Sequence, residues 1–526
     1  MNDITIPINN KEDLDKLRQL NTKYPLLEDY HFLKQNIPAG IITEEQHQNY
    51  FQQLTIHRKE YLEQEKINTP LKLLKHEILI SLKIDSTKQA TELMVQHILN
   101  HENIFTTRDD ERSEMWIYKE GIYLPEGRTY IKEICREVLA EVYTSQFVNL
   151  TIQKIEAETF IEQQAFFNNE NIDIIPVQNG LLNIFTRELK PFDPQLKFFN
   201  KLPIIYNPEL DCPSIKTHFR EVLANFEDSK VMQELFGYLL LRDYRIEKAA
   251  MLHGGGRNGK GKTVSLMTKF IGKYNTSNID LESIEKNQFA IGELFNKMAN
   301  INGDLSPTAL KKTGNFKQLV GNDDMSAPRK FKTNVQFQNY AKMIFCANEL
   351  PITYDESTAF FERWILIDFP YTFLSEEDVK KLPANPLFKI ADIGLINKIS
   401  SEPELTGLLN WALDGLDRLL KNKRFSESPG TTNIKNRWIR KSDSFVGFLM
   451  ENVEEDDSGW ISKKDLAQSY RKYCKEHKVR LMGDKHISFK MQTQLAAYTE
   501  QKSFKENDEF WKEWCWVGIK LKEKTK

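Results

Sequence analysis

Cysteine is scarce in this 526-residue chain, and its five copies, Cys135, Cys212, Cys346, Cys474 and Cys515, are scattered without a CxxC pair. That excludes a zinc-ribbon spacing and a disulfide framework, and it suits a reducing, cytoplasmic setting. No apolar run approaches the roughly 20 residues that cross a bilayer, so no membrane partner is expected. The opening residues, Met1-Asn2-Asp3-Ile4-Thr5-Ile6, lack the basic stretch and apolar core of a secretory signal, and none is expected. An excess of either charge is lacking too: 72 basic residues face 75 acidic ones, a net charge of −3. A uniformly basic nucleic-acid coat is excluded, and any DNA contact must come from local patches.

What is present is an ordinary soluble composition, 40% hydrophobic and 28% charged, in a chain long enough for about three domains. Residues 1–95 read as a charged helical region, and 96–205 as a mixed α+β domain. In the latter, Met115–Tyr118 and Gly121–Tyr123 read as a hairpin, and Asn179-Gly180 as a turn between two apolar strands. Residues 206–425 alternate strands and helices as a nucleotide-binding α/β domain does, closing on a leucine-rich helix at 404–421. Ser426–Thr432, with Pro429-Gly430, reads as a linker before a small unit at 436–526.

The chemistry concentrates in Gly254-Gly255-Gly256-Arg257-Asn258-Gly259-Lys260-Gly261-Lys262-Thr263, which follows the apolar strand Ala249–Leu252 and precedes a helical pattern. Strand, glycine-rich loop, lysine and helix form the layout of a phosphate-binding P-loop: backbone N–H groups and the helix N-terminus face phosphate oxygens, and lysine adds a point charge. Two frames fit. Gly256 to Lys262-Thr263 matches GxxxxGK[ST], whereas Gly254 to Lys260 has the same spacing with Gly261 in place of the Mg²⁺-ligating hydroxyl. The short distance from the strand favours Lys260, with Lys262 and Thr263 kept as candidates.

Hydrolysis of ATP needs a carboxylate for Mg²⁺ and water, a polar γ-phosphate sensor and often an arginine finger. Asp304, at the end of the strand-like Met298–Asn302, is the candidate carboxylate and Mg²⁺ ligand. Asn348, at the tip of Ala341–Ala347, is the candidate sensor. Arg363, at the start of Trp364–Phe369, is the candidate finger. A finger often acts from a neighbouring subunit, which implies an oligomer, most simply a ring. Between acid and sensor, Arg329, Lys330 and Lys332 surround Phe331, a mixture suited to gripping a phosphate backbone with one ring for stacking.

The set resembles the superfamily 3 helicases, specifically the phage and plasmid primase-helicase family with poxvirus-type members. The matching residues include Arg257-Asn258-Gly259-Lys260, Asn302-Gly303-Asp304-Leu305-Ser306, Leu319-Val320-Gly321-Asn322-Asp323, Lys330-Phe331-Lys332, Ala347-Asn348-Glu349-Leu350-Pro351 and Phe361-Glu362-Arg363-Trp364. The resemblance implies an α/β P-loop NTPase core of AAA+-like fold at 206–425. It also implies a hexamer that hydrolyses ATP with Mg²⁺ and draws single-stranded DNA through its channel, 3′ to 5′, at a fork. It assigns the P-loop lysine to Lys260, the sensor to Asn348, the trans finger to Arg363 and the DNA-touching hairpin to 326–337. Gly261 departs from the usual Ser or Thr, and the first 95 residues are too short for a primase, so a separate primase or polymerase is the expected partner. The last unit resembles a winged-helix DNA-binding domain. The expected protein is a replicative helicase of a mobile element, phage or virus, working in a prokaryotic host cell or at a viral replication site. The alternative is an origin-binding initiator or DNA loader that uses ATP as an assembly switch.

Overall fold

A computed structural model describes residues 69–83, 86–109, 111–168, 171–306, 310, 312–330, 332–353, 355, 357–495, 497–506 and 509–522. The chain divides into two compact units. One ends at Asn169 and includes Pro194–Lys197; the other holds Glu170–Asp193 and Phe198–Lys526. Most of the charged region 1–95 lies outside the described residues. No described helix is long and apolar enough to cross a membrane.

In the first unit, helices Thr69–Lys83 and Thr87–His101 precede β1 (Ile104–Thr107), β2 (Met115–Lys119) and β3 (Ile122–Leu124). Helices Gly127–Leu139 and Ser145–Thr159 and the short β4 (Phe160–Ile161) follow. The sheet order is β3-β2-β1-β4. The expected hairpin is β2–β3, closed by Glu120 and Gly121 at φ 45° and 98°, the paired positive angles that match strand twist. Ile98, Ile117, Ile131 and Ile155 are buried together at its centre.

The second unit opens with β5 (Ile174–Val177), β6 (Gly180–Asn183) and β7 (Leu189–Lys190), an antiparallel sheet. The turn falls one residue earlier than expected. Val177 pairs with Gly180, leaving Gln178-Asn179 as the connection. The physical reason is Asn179, whose amide clasps the backbone of Tyr206, donating to its carbonyl and accepting from its N–H at 2.9 Å each.

The main sheet comprises β8 (Ala249–His253), β9 (Thr276–Ser277), β10 (Ala299–Asn302), β13 (Lys342–Ala347) and β14 (Trp364–Asp368), all parallel, in the order β14-β8-β13-β10-β9. Every residue of β8 and β13 is buried, as expected of strands covered on both faces. Because the strands run parallel, the residues that follow β8, β10 and β13 emerge at one edge. That carboxyl edge is where open α/β sheets bind ligands. The hairpin of β11 (Asp324–Arg329) and β12 (Lys332–Gln338) interrupts the alternation before β13.

Helices Phe226–Tyr238 and Glu402–Asn422 pack at backbone distance. A Cβ on Gly237 would lie 2.4 Å from Ala412 O, and one on Gly415 would lie 2.4 Å from Gln233 O. The leucines Leu408, Leu409, Leu413, Leu416 and Leu419 are core, as their spacing indicates. The segment Ser426–Thr432 is not a linker throughout: Pro429 starts a helix to Ser442, with Ser428 as its cap. Trp438 in that helix is fully buried against Phe360, Phe361 and Trp364, which ties the helix to the main core. The parallel pair β15 (Thr372–Leu374) and β16 (Phe388–Ile390) follows β14. A separate apolar cluster then forms around helix Ser444–Asn452, β17 (Val453–Ser462), helices Lys463–His477 and Asp484–Gln494, β18 (Tyr498–Glu506) and β19 (Glu509–Leu521), with sheet order β17-β19-β18.

Candidate active site

The glycine-rich loop leaves β8 at Gly254, whose φ of 151° and closeness to Asn258 and Phe369 exclude a side chain: a Cβ would lie 2.2 Å from Asn258 Nδ2. It ends at Gly259, at φ 92°, which caps a helix running Lys260–Ile271. Lys260 is therefore the first helical residue. Its side chain is 6% exposed and turns back into the loop. Its ammonium donates to Gly254 O at 2.5 Å, Gly255 O at 2.9 Å, Asn258 Oδ1 at 3.2 Å and Asn348 Oδ1 at 3.0 Å. Burial lowers its pKa, while the charges of Asp304 and Asp368 oppose that shift.

The candidates of the other loop frame stand in different surroundings. Lys262 is exposed on the helix surface. Thr263 is fully buried, and its hydroxyl meets His218 Nε2 at 3.2 Å, so it faces the helix packing and not the loop. Burial pushes the His218 imidazole down to about 4, which keeps it neutral. Gly255, Gly256 and Gly261 have open space where a side chain would stand. Arg257 holds φ 57°, and its carbonyl accepts from Phe373 N at 2.7 Å, which pins the crest of the loop.

Asn348 follows β13 and Asp304 follows β10, so both emerge at the edge that carries Lys260. Asn348 and Asp304 are exposed, the one bonded to Lys260 and the other close enough to act on its charge. Cys346, two residues before Asn348, has its thiol pushed up to about 12 by burial, which favours the protonated form. Among the described residues no group of acids, histidines and cysteines forms a metal cluster by itself.

Arg363 is not brought to this cluster. Its carbonyl accepts from Ala249 N at the start of β8, roughly 16 Å along the strand from Gly254. Its guanidinium bonds Ala359 O at 2.9 Å and Glu247 Oε2 at 3.0 Å, and its Nε is buried without a partner among the described residues. Arg329, Lys330 and Lys332 stand at the turn of the β11–β12 hairpin. Lys330 and Lys332 are exposed, whereas Arg329 lies over the Phe295 ring at 5.2 Å and donates to Thr333 O at 3.1 Å. Phe331, the expected stacking ring, lies outside the described residues.

The sequence did not single out His253. Its Nδ1 is 2.9 Å from Asp368 Oδ1 and its Nε2 is 3.0 Å from Arg437 Nη2. The only local signal is its place as the last strand residue before the loop.

Residues 48–224 match the family described as D5 N terminal like, and residues 252–363 match a family of unknown function, DUF5906. The protein of Sputnik virophage named "Putative helicase V13" is 24% identical over 262 residues, which are 47% of this chain and 32% of that protein. The chain thus matches only about a third of that relative's length. The apo structure of the NrS-1 C terminal region aligns at 13% identity over 81% of this chain and 98% of that one, with a TM-score of 0.44. The X-ray structure of JCV helicase aligns at 15% identity over 45% and 64%, with a TM-score of 0.22. The two family matches flank the start of β8, so the phosphate loop, Asp304, Asn348 and Arg363 all fall within the second. The chain is thus similar over 47% of its length to a viral protein named as a putative helicase, and it matches the two family models in separate regions.

Proposed function

We propose that this chain is an ATP-dependent replicative DNA helicase of the superfamily 3 type, acting as a hexameric ring that moves 3′ to 5′ on single-stranded DNA. The Lys260 ammonium carries the reading. It is buried at the carboxyl edge of a parallel sheet, in contact with four carbonyl-type oxygens and, among the described residues, with no carboxylate. Those oxygens stand where phosphate oxygens would take over, and exchanging them offsets the burial of the charge.

The residues fit a nucleoside triphosphate with Mg²⁺. The N–H groups at the start of helix Lys260–Ile271 would hold phosphate oxygens. Asp304 would hold the cation with water, since Gly261 offers no hydroxyl and Thr263 is turned to His218. Bound Mg²⁺ supplies charge neutralisation at the phosphates. Asn348, freed from Lys260, would orient the attacking water. Arg363 lies at the opposite end of β8 from the loop, and in this reading it would serve a neighbouring chain's site once Glu247 releases its fork. Lys330 and Lys332 would grip the DNA backbone. The helix–strand–helix–helix–strand–strand order of the last unit supports the winged-helix reading of 436–526. A separate primase or polymerase is the proposed partner, and cytoplasm or a viral replication site the proposed setting.

The test is ATP hydrolysis with and without single-stranded DNA, followed by native mass measurement. DNA-stimulated hydrolysis by a ring supports the reading. Hydrolysis without stimulation, with sequence-specific duplex binding, moves the assignment to an origin-binding initiator or loader.

A further inference from the structure

The hairpin of β18 and β19 carries several large rings that the core of its unit does not use. Trp511 is 39% exposed, Trp514 54% and Phe510 75%, and Trp460 on the neighbouring β17 is 44% exposed. Rings left in water at this density mark a binding surface. The two faces of the hairpin differ. Gln501 pairs with Trp514, Ser503 with Lys512, Lys502 with Glu513, Glu500 with Cys515 and Phe504 with Trp511. Side chains alternate along a strand, and directly opposite residues share a face. Trp511, Glu513, Glu500, Lys502 and Phe504 therefore lie on one side, and Trp514, Lys512, Phe510, Gln501 and Ser503 on the other.

The first side is closed on itself. Phe504 packs on Trp511 at 5.9 Å and on Trp460 at 5.2 Å, and Lys502 lies over Trp460 at 5.7 Å while pairing with Glu500 at 3.5 Å. The second side is open. It continues from Trp516, a member of the core cluster. Lys463, the first residue of helix Lys463–His477, lies over Trp516 at 5.0 Å and over Trp514 at 5.7 Å. Among the described residues no ring packs on Trp514, and neither Lys463 nor Lys512 pairs with a carboxylate. Both lysines are exposed, and the described side chains of this face include no acid. A fitting partner brings negative charge together with flat apolar surfaces. An unpaired nucleic-acid strand brings both, phosphates for the lysines and a base face for the indole. A duplex brings the phosphates but keeps its base faces stacked inside.

We infer that the Trp514 face of the β18–β19 hairpin binds an unpaired nucleic-acid strand, stacking a base on the Trp514 ring while Lys463 and Lys512 hold the flanking phosphates. The site is distinct from the Lys330 and Lys332 hairpin, and it needs neither the phosphate loop nor a bound nucleotide. It goes beyond the reading above, which gives the last unit duplex DNA to bind. Within that reading it gives the last unit a hold on a strand that has already been separated.

The experiment uses the full chain without nucleotide, carrying Lys330→Ala and Lys332→Ala so that the other hairpin's grip is removed. Fluorescence anisotropy reads binding of labelled oligothymidylate, oligouridylate, an abasic strand of equal length and a blunt duplex. The two base-bearing strands separate DNA from RNA as the source of the ligand. Trp514→Ala is expected to lose about tenfold in affinity for the preferred base-bearing strand and little for the abasic one. Trp514→Phe, which keeps a ring beside Lys463, should recover part of the loss and keeps the test valid if alanine disturbs the hairpin. Lys512→Ala should weaken base-bearing and abasic strands alike and lower the salt slope by about 0.7. Trp511→Ala, on the opposite face, should bind as its parent does. Equal affinity of the parent for base-bearing and abasic strands, or an unchanged affinity in Trp514→Ala, overturns the inference. So does tighter binding of the duplex, or no nucleic-acid binding at all, which would leave the face to a protein partner. ATP hydrolysis by the wild-type chain is measured beside it: its absence overturns the helicase reading and leaves this result standing.

Discussion

Lys260 donates its ammonium to the side-chain oxygen of Asn348 at 3.0 Å, joining the start of a helix to the end of a strand 88 positions on. The bond couples the residue that would hold the phosphates to the one that would sense them. Any ligand that draws Lys260 away releases Asn348 at the same time.

Arg363 separates binding from turnover. It lies at the opposite end of β8 from the loop, so Arg363→Ala should leave ATP affinity within about twofold. Hydrolysis should fall by roughly 10³-fold or more, the scale of a lost arginine finger. Equilibrium nucleotide binding and steady-state phosphate release check the two halves. Equal loss of binding would remove the finger assignment.

Two neighbouring glycines should behave oppositely. Gly254→Ala places a methyl 2.2 Å from Asn258 Nδ2 and 2.5 Å from Phe369 O at a positive φ, so the loop cannot keep its shape. Gly255→Ala meets nothing within 4 Å. The first variant should lose nucleotide binding at least about tenfold, and the second should stay within about 0.5 kcal/mol of wild type in stability and bind normally. Nucleotide titration together with thermal unfolding makes the comparison.

The helix pair Phe226–Tyr238 and Glu402–Asn422 should be intolerant of added volume. Gly237→Ala puts a Cβ 2.4 Å from Ala412 O and 2.6 Å from Leu416 N, both backbone atoms that cannot swing aside. The expected cost is about 1–3 kcal/mol in urea unfolding. Gly314→Ala, with nothing within 4 Å, is the control expected to cost little.

How much of this was legible in the sequence differs by residue. The loop was legible because strand, glycines and lysine are contiguous. Its frame was not, since Lys260 and Lys262 satisfy the same spacing. What separates their surroundings is Gly259 at φ 92°, which starts the helix at Lys260, and His218, which reaches Thr263 from 45 positions upstream. Asp304 and Asn348 were legible as strand ends because parallel strands bring their tips to one edge. Arg437 was not, because it lies in a stretch whose polar pattern reads as the start of a separate unit. The burial of Ile434, Trp438 and Ile439 in the main core returns that helix to it. The turn at Asn179 was misplaced by one residue for a similar reason: its side chain serves Tyr206, a partner no local pattern reveals.

Lys342 gives the fold a pH signature. It is 1% exposed, with its ammonium over the rings of Tyr238 and Tyr244 at 4.4 and 4.2 Å and donating to Asp243 O. Burial pushes it down to about 7. The unfolded chain, with lysine near 10.4, binds the proton more readily, so stability rises with pH between about 7 and 10.4 and is lost as pH falls through 7. Lys342→Met should remove that dependence, flattening the curve by about 1 kcal/mol per pH unit in this window. Urea unfolding of both chains from pH 7 to 10 measures the difference.

The measurement that tests the central claim most directly is ATP-dependent unwinding of a forked duplex with a 3′ tail, by wild-type chain, Lys260→Ala and Lys262→Ala. The account predicts unwinding by wild type and by Lys262→Ala, whose side chain is exposed away from the loop, and none by Lys260→Ala. Unwinding that survives in Lys260→Ala and is lost in Lys262→Ala would contradict it, as would duplex binding without unwinding by wild-type protein that hydrolyses ATP and forms rings.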